Sequence, residues 1–258
     1  MKPVSSNEPA ICVEGLDAGY ADKVIFDRLS FQVERGELFV ILGGSGCGKS
    51  TLLRLLIGLK SPSAGRILIN GVDITTADEM AMNGVRTGIG VLFQSGALFG
   101  SMTLAENVAL PLKEYTNLSP DAIERVVAMK LAMVSLAGHE NHYPSELSGG
   151  MVKRAGLARA MALDPSILFF DEPSAGLDPI TAAELDQLIK DLNRGLGTTV
   201  VVVTHDLESI MTIADRVIML DGKKKGIIAE GDPRELKMHS QDPLVQSFFN
   251  REPLKTVL

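Results

Sequence analysis
An apolar run, 38-LFVIL-42, leads without a break into 43-GGSGCGKST-51, and helical character begins near Lys49. The segment fits G-x-x-x-x-G-K-[ST], a phosphate-binding loop, and a strand before it with a helix after it is the context that gives the pattern its meaning. Glycines let consecutive backbone N–H groups curl around a phosphate chain. Lys49 reaches the β- and γ-phosphates, and Ser50 offers its hydroxyl to Mg2+. The helix N-terminus adds free N–H donors and a favourable dipole. The candidate nucleotide-binding residues are therefore Gly43, Gly44, Ser45, Gly46, Cys47, Gly48, Lys49, Ser50 and Thr51. Cys47 contributes its backbone N–H; its thiol is expected to be open to oxidants but not needed for catalysis.

The rest of the chain supplies the frame such a loop needs. Strands are expected at Ile11–Gly15, Ser30–Val33 and Leu38–Leu42, with Glu34–Glu37 as a turn. Gly65–Asp73 reads as a hairpin around Asn70-Gly71, and Ile89–Gln94 is a short apolar run. Continuous apolar strands return at 167-ILFF-170, 199-TVVVV-203 and 217-VIML-220, with a helix at Thr181–Asn193. Apolar strands joined by helices mean a parallel sheet covered on both faces. From Thr103 to Leu163 helical spacing dominates; Ser119 and Pro120 start one helix over Ala122–Leu136, and a second follows Ser148. The fold class is thus α/β: a P-loop core with a mostly parallel sheet, an antiparallel β subdomain and a helical insertion at about 100–165.

Residues 1–10 read as a loose polar tail, 11–240 as the working domain and 241–258 as an added segment. Leu244, Val245, Phe248 and Phe249 share one face of a short helix that Pro253 ends. Burial on their own domain and docking on a second copy are equally open readings of that face; a docking arm is the one adopted. With a net charge of −7, nucleic acid is not an expected partner. No run of about 18 apolar residues is present to span a bilayer. MKPVSSNEPA lacks the apolar stretch of a secretory signal, and two isolated cysteines suit a reducing cytoplasm. His139 and His142 have no second ligand pair at metal spacing, and Lys223–Lys225 reads as a solvated turn.

Two further motifs carry chemistry. The strand 167-ILFFDE-172 ends in adjacent carboxylates, which alternation along a strand would aim in different directions. Asp171 is the candidate for the metal side and Glu172 for the general base that orients water. In 147-LSGGM-151, Ser148 is the expected cap of a helix, and Gly149 and Gly150 permit close backbone approach by a second phosphate group.

Together, and in this order, these motifs resemble those of ABC-type ATPases, the nucleotide-binding subunits of ATP-binding cassette transporters. The resemblance implies that Tyr20 stacks on adenine and that Gln94 contacts Mg2+ and water while sensing a membrane partner. It assigns Leu147–Gly150 to the signature that meets ATP held by the other subunit, Ser174–Asp178 to the D-loop and His205 to a switch near the γ-phosphate. Glu172, His205 and Gln94 become the expected catalytic residues, and Ser50, Gln94 and Asp171 the expected Mg2+ contacts. Met151 stands where the family usually has Gln. Residues 93–112 and 148–165 resemble more narrowly the ATPase of Mla/MCE-type phospholipid transporters, in which that Met is familiar. In the wider family the segment after Gln94, here 97-ALF-99, forms a groove for a helix of the membrane subunit. The implied protein hydrolyses ATP as a head-to-tail dimer at the cytoplasmic face of an inner membrane. Its implied partners are an integral-membrane permease, a substrate-binding MCE protein and a small regulatory subunit. Competing readings are an ABC ATPase for another cargo and a non-transport ABC ATPase.

Overall fold
The computed structural model describes residues 8–20 and 23–252. The chain begins with β1 (Ile11–Tyr20), β2 (Lys23–Val33), β3 (Leu38–Gly43) and α1 (Lys49–Leu56), then β4 (Ala64–Ile69), β5 (Val72–Asp73), α2 (Glu79–Gly88) and β6 (Ile89–Leu92). The helical stretch holds α3 (Leu104–Tyr115), α4 (Pro120–Met133), a 3-10 turn at Pro144–Glu146 and α5 (Gly149–Ala160). The rest comprises β7 (Ile167–Asp171), α6 (Pro179–Leu196), β8 (Thr199–Val203), α7 (Leu207–Ile213), β9 (Arg216–Asp221), β10 (Gly226–Gly231), α8 (Pro233–His239) and α9 (Pro243–Asn250).

The strands make two sheets. Six order as β10-β9-β3-β8-β7-β6, and four as β2-β1-β4-β5. In the larger sheet only β10 runs antiparallel to its neighbour. Every residue of β3 and β8 is buried, because helices cover one face of the sheet and the small sheet with α1 covers the other. Alternation divides the side chains cleanly. Leu38, Val40 and Leu42 join Val200, Val202 and Phe170 in one core with α3–α6, while Phe39 and Ile41 join Val201, Val203 and Phe169 in a second with β1, β2 and α1. The register places the ends of β3, β7 and β8 side by side, with Asp171 opposite Val203. The P-loop after β3, the Asp171–Glu172 pair after β7 and His205 after β8 therefore leave one carboxyl edge of the sheet, where open α/β sheets bind ligands.

The structure revises several expectations. The first two strands run well beyond Ile11–Gly15 and Ser30–Val33, carrying buried Leu16, Ala18 and Phe26. Three register shifts in β1 break its alternation and hide it from the two-residue pattern. Ala10, assigned to a loose tail, is buried and bonded at both ends: its N–H donates to Val33 O at 2.8 Å, and its carbonyl accepts from Asn70 N at 2.8 Å. Residues 1–7 of that tail, and Pro253, lie outside the described residues. The helix α2, capped by Asp78 on Ala81 N, was not legible among Met, Asn and Gly. The added C-terminal face is divided. Val245 and Phe249 are fully buried in the domain's own core, which leaves Leu244 and Phe248 only half-covered.

Candidate active site
The P-loop is built from positive φ angles. Gly43 (φ 150°) admits no side chain, because a Cβ would lie 2.5 Å from Leu220 O and 2.7 Å from Cys47 Sγ. Gly48 (φ 110°) lies as close under Ile25 and Phe26 of the small sheet. Gly48 is also the N-cap of α1, so no side chain caps that helix and no acidic residue lies in its first turn. Its leading N–H groups are left for an anion. Lys49 Nζ donates to Gly43 O at 2.8 Å and to Gly44 O at 3.3 Å, which holds the ammonium across the loop. These features fit a polyphosphate. Cys47 does not behave as expected: it is buried, and burial pushes its thiol pKa up, away from the reactive thiolate.

Tyr20 ends β1 and is 45% exposed. Thr51 and Arg54 of α1, facing its hydroxyl, hold its pKa below the ordinary value. Lys60 Nζ lies 3.9 Å from the ring centroid, a cation–π contact that steadies an aromatic platform.

At the end of β7, Asp171 is half-buried. Burial raises its pKa and the adjacent Glu172 raises it further, against Arg54, Lys153 and Lys49, which pull it down. Glu172 lies beyond the strand in a left-handed conformation (φ 47°), with its N–H on Val203 O at 2.8 Å. Glu172 Oε1 meets His205 Nδ1 at 2.8 Å. The structure thus pairs two residues that the sequence placed only separately. The groups expected to hold Mg2+, the Ser50 hydroxyl, the Gln94 side-chain carbonyl and the Asp171 carboxylate, are all oxygen donors, as a hard cation requires.

Ser148 is the N-cap of α5, its Oγ accepting from Met151 N at 3.3 Å. Ser148 and Gly149 are exposed, while Gly150 is buried where a Cβ would meet Thr181 Cγ2 at 2.5 Å. Gly150 therefore serves the packing of α5 on α6, and the outward surface belongs to the other two. Met151 packs on the helical-layer core, which suits a thioether better than an amide. The helix α5 packs chiefly on α3, α4, α6 and β6.

Other residues of consequence had no motif. Lys153 on α5 is 5% exposed and donates to Gln94 O and, at 3.4 Å, to Glu172 O. Burial lowers its pKa, and Asp171 and Glu172 raise it. The one signal available was its spacing from Gly150 and Leu157, which puts a lysine on a buried helix face. Asn107, fully buried, accepts from Phe99 N at 2.8 Å and donates to Phe99 O, Met102 O and Thr103 O, pinning the loop that follows Gln94. Of 97-ALF-99, Leu98 packs against the core, and Phe99 alone presents a large apolar surface, 50% exposed. Phe99, Val91, Leu110, Pro111 and Tyr115 line a groove of about 440 Å³, rimmed by charged groups that include Arg159.

A P-loop beside a strand-end aspartate and a glutamate paired with histidine defines a nucleoside triphosphatase site. The ABC transporter family model matches residues 26–175. Among curated proteins, the intermembrane phospholipid transport system ATP-binding protein MlaF of Haemophilus influenzae is 44% identical over 95% of this chain and 92% of its own length. MlaF of Escherichia coli K12 is 45% identical over 89% of this chain and 84% of its own. A probable ribonucleotide transport ATP-binding protein, mkl of Mycobacterium leprae, is 45% identical over 93% of this chain, but the match spans only 69% of that protein. Among solved structures, cbiO1 of Clostridium perfringens superposes with a TM-score of 0.82 at 30% identity, covering 89% of this chain and 91% of that one. The dimeric cassette MJ0796 bound to ADP and Pi gives 0.78 at 31% identity, covering 86% and 98%. The chain belongs to the ABC transporter family and is one of its ATP-binding, ATP-hydrolysing cassettes.

Proposed function
We propose that this cassette is the motor of an inner-membrane transporter that moves phospholipids between the inner and outer membranes. The observation that carries the motor reading is the convergence of Lys49, Asp171 and the Glu172–His205 pair on one sheet edge. The lipid reading is supported by the similarity to two MlaF proteins along most of their length.

ATP lies with its adenine on Tyr20 and its phosphates along the P-loop and Lys49. When bound, Mg2+ would be held by Ser50, Asp171 and Gln94 and would supply positive charge to offset that of the β- and γ-phosphates. Glu172 orients a water and accepts its proton as the water oxygen bonds to the γ-phosphorus and the bond to the β–γ bridging oxygen breaks. His205 holds the Glu172 carboxylate in place through the contact seen here. One P-loop leaves the γ-phosphate open to solvent, so a second copy closes the site with its exposed Ser148 and Gly149 and adds a helix N-terminus to the transition state. The dimeric cassettes among the structural neighbours support that arrangement. ATP then holds the two copies together, and hydrolysis releases them. The groove at Phe99 receives a short apolar helix of the membrane subunit. Among the described residues no helix is long and apolar enough to cross a membrane, which suits a peripheral subunit.

The test is ATP-dependent transfer of labelled phospholipid between vesicles by the membrane complex purified through this chain, with Glu172→Gln as the control. That variant retains ATP and loses transfer. ATP-driven passage of labelled ribonucleotide without lipid transfer would overturn the lipid reading and leave the motor intact.

A further inference from the structure
We propose that Lys153 is a positioning residue for hydrolysis: its ammonium holds the main chain of Gln94, and through it the Gln94 side chain, beside the Glu172 end of β7. The inference rests on reading Gln94 and Glu172 as hydrolytic residues. Beyond Leu92 the loop has left the sheet ladder, and its first turn is closed by one bond from Gly96 N to Phe93 O at 2.8 Å. Asn107 of α3 pins the loop farther on, at Phe99 and Met102, whereas the first turn lies along α5.

Three features of α5 grip the loop in sequence. Lys153 binds the carbonyl of Gln94. Gly156 lets the backbones close up, since a Cβ there would lie 2.9 Å from Gly96 O and 2.8 Å from Leu92 Cδ1. Arg159 donates to Ala97 O at 2.8 Å and Gly96 O at 3.2 Å. Lys153 and Arg159 lie six residues apart, about 9 Å along the helix, one toward the ATP site and the other at the groove. Lysine is seldom buried without a charged partner, yet the atoms that Lys153 reaches are main-chain carbonyls, one on each hydrolytic segment. Methionine would fill the same space without the cost of burying an ammonium. What methionine lacks is a donor for the Gln94 carbonyl. The helix that presents Ser148 outward thus also places the water-contacting Gln94 of its own chain.

The experiment compares steady-state ATP hydrolysis by the full chain with that of Lys153→Met, Lys153→Arg, Gln94→Ala and the double variant Lys153→Met/Gln94→Ala. Lys153→Met should lower kcat about 10- to 100-fold, the scale of losing a hydrogen bond from a charged group. KM for ATP should stay within about threefold, because the P-loop and Tyr20 are untouched. Lys153→Arg should recover kcat to within about threefold of the original, since a guanidinium also supplies donors to both carbonyls. On the Gln94→Ala background, Lys153→Met should cost less than about twofold more, because nothing is left to position. Should Lys153→Met prove insoluble, Lys153→Leu, which also lacks a donor, takes its place under the same comparisons. Losses that multiply in the double variant, a rise in KM matching the fall in kcat, or an Arg variant as poor as Met would each overturn the proposal. An unchanged kcat in Gln94→Ala would instead overturn the reading beneath it.

Discussion

Asp186, on the face of α6 that packs against α7, is 3% exposed, and its Oδ1 has no hydrogen-bond partner. Burial raises its pKa from 3.8 to about 6, with nearby Ser209 pulling it down, Asp206 pushing it up and Lys190 pulling it down. A carboxyl whose folded-state pKa is raised binds its proton more tightly in the folded chain than in the unfolded one. Ionising it therefore destabilises the fold. The cost is absent well below pH 3.8, grows as pH rises through the interval up to about 6, and is complete above it. That interval corresponds to on the order of 3 kcal/mol at pH 8 and about a third of that at pH 4.5. Asp186→Asn removes the ionisation. In urea unfolding at pH 8, the variant should be more stable than the original chain by on the order of 2–3 kcal/mol, with the gap shrinking to about 1 kcal/mol at pH 4.5. A gap of equal size at both pH values, or a variant less stable at pH 8, would refute the assignment of a buried, unpaired carboxylate.

Phe99→Asp puts a carboxylate into the apolar groove; the membrane subunit should be lost from pull-downs while the isolated chain keeps its melting temperature and ATP binding. Phe249→Ala should cost about 3–5 kcal/mol by opening a cavity in the domain's own core, whereas the half-covered Phe248→Ala should cost far less; equal effects on Tm would contradict this division of α9. Ser148→Arg should block hydrolysis without unfolding the chain, and full turnover in that variant would show that no partner's ATP approaches the start of α5.

Much of the fold was legible in the residues because its strongest signals are local. The P-loop glycines, the Asn70-Gly71 turn, the Ser119–Pro120 helix start and the apolar runs of β3, β7 and β8 each follow from backbone geometry or period. The lengths of β1 and β2 were not legible, because bulges shift the alternation partway along. Nor was the fate of 97-ALF-99: sequence marks three apolar residues, and only packing decides that Leu98 turns inward and Phe99 outward.

By itself the sequence determined a phosphate-binding loop between a strand and a helix and a pair of carboxylates at the end of a later apolar strand, while Gln94 and His205 stood out only through the resemblance to ABC-type ATPases. Tertiary structure alone decided which of these meet. Glu172 and His205 are 33 residues apart in the chain, and their 2.8 Å contact exists because β7 and β8 are parallel neighbours whose ends coincide. Lys153 reaches Gln94 across 59 residues, because α5 packs on β6. Such pairings carry no local signature: side chains distant in sequence become neighbours only when the sheet order and the helix packed on it are fixed by burial of the whole core.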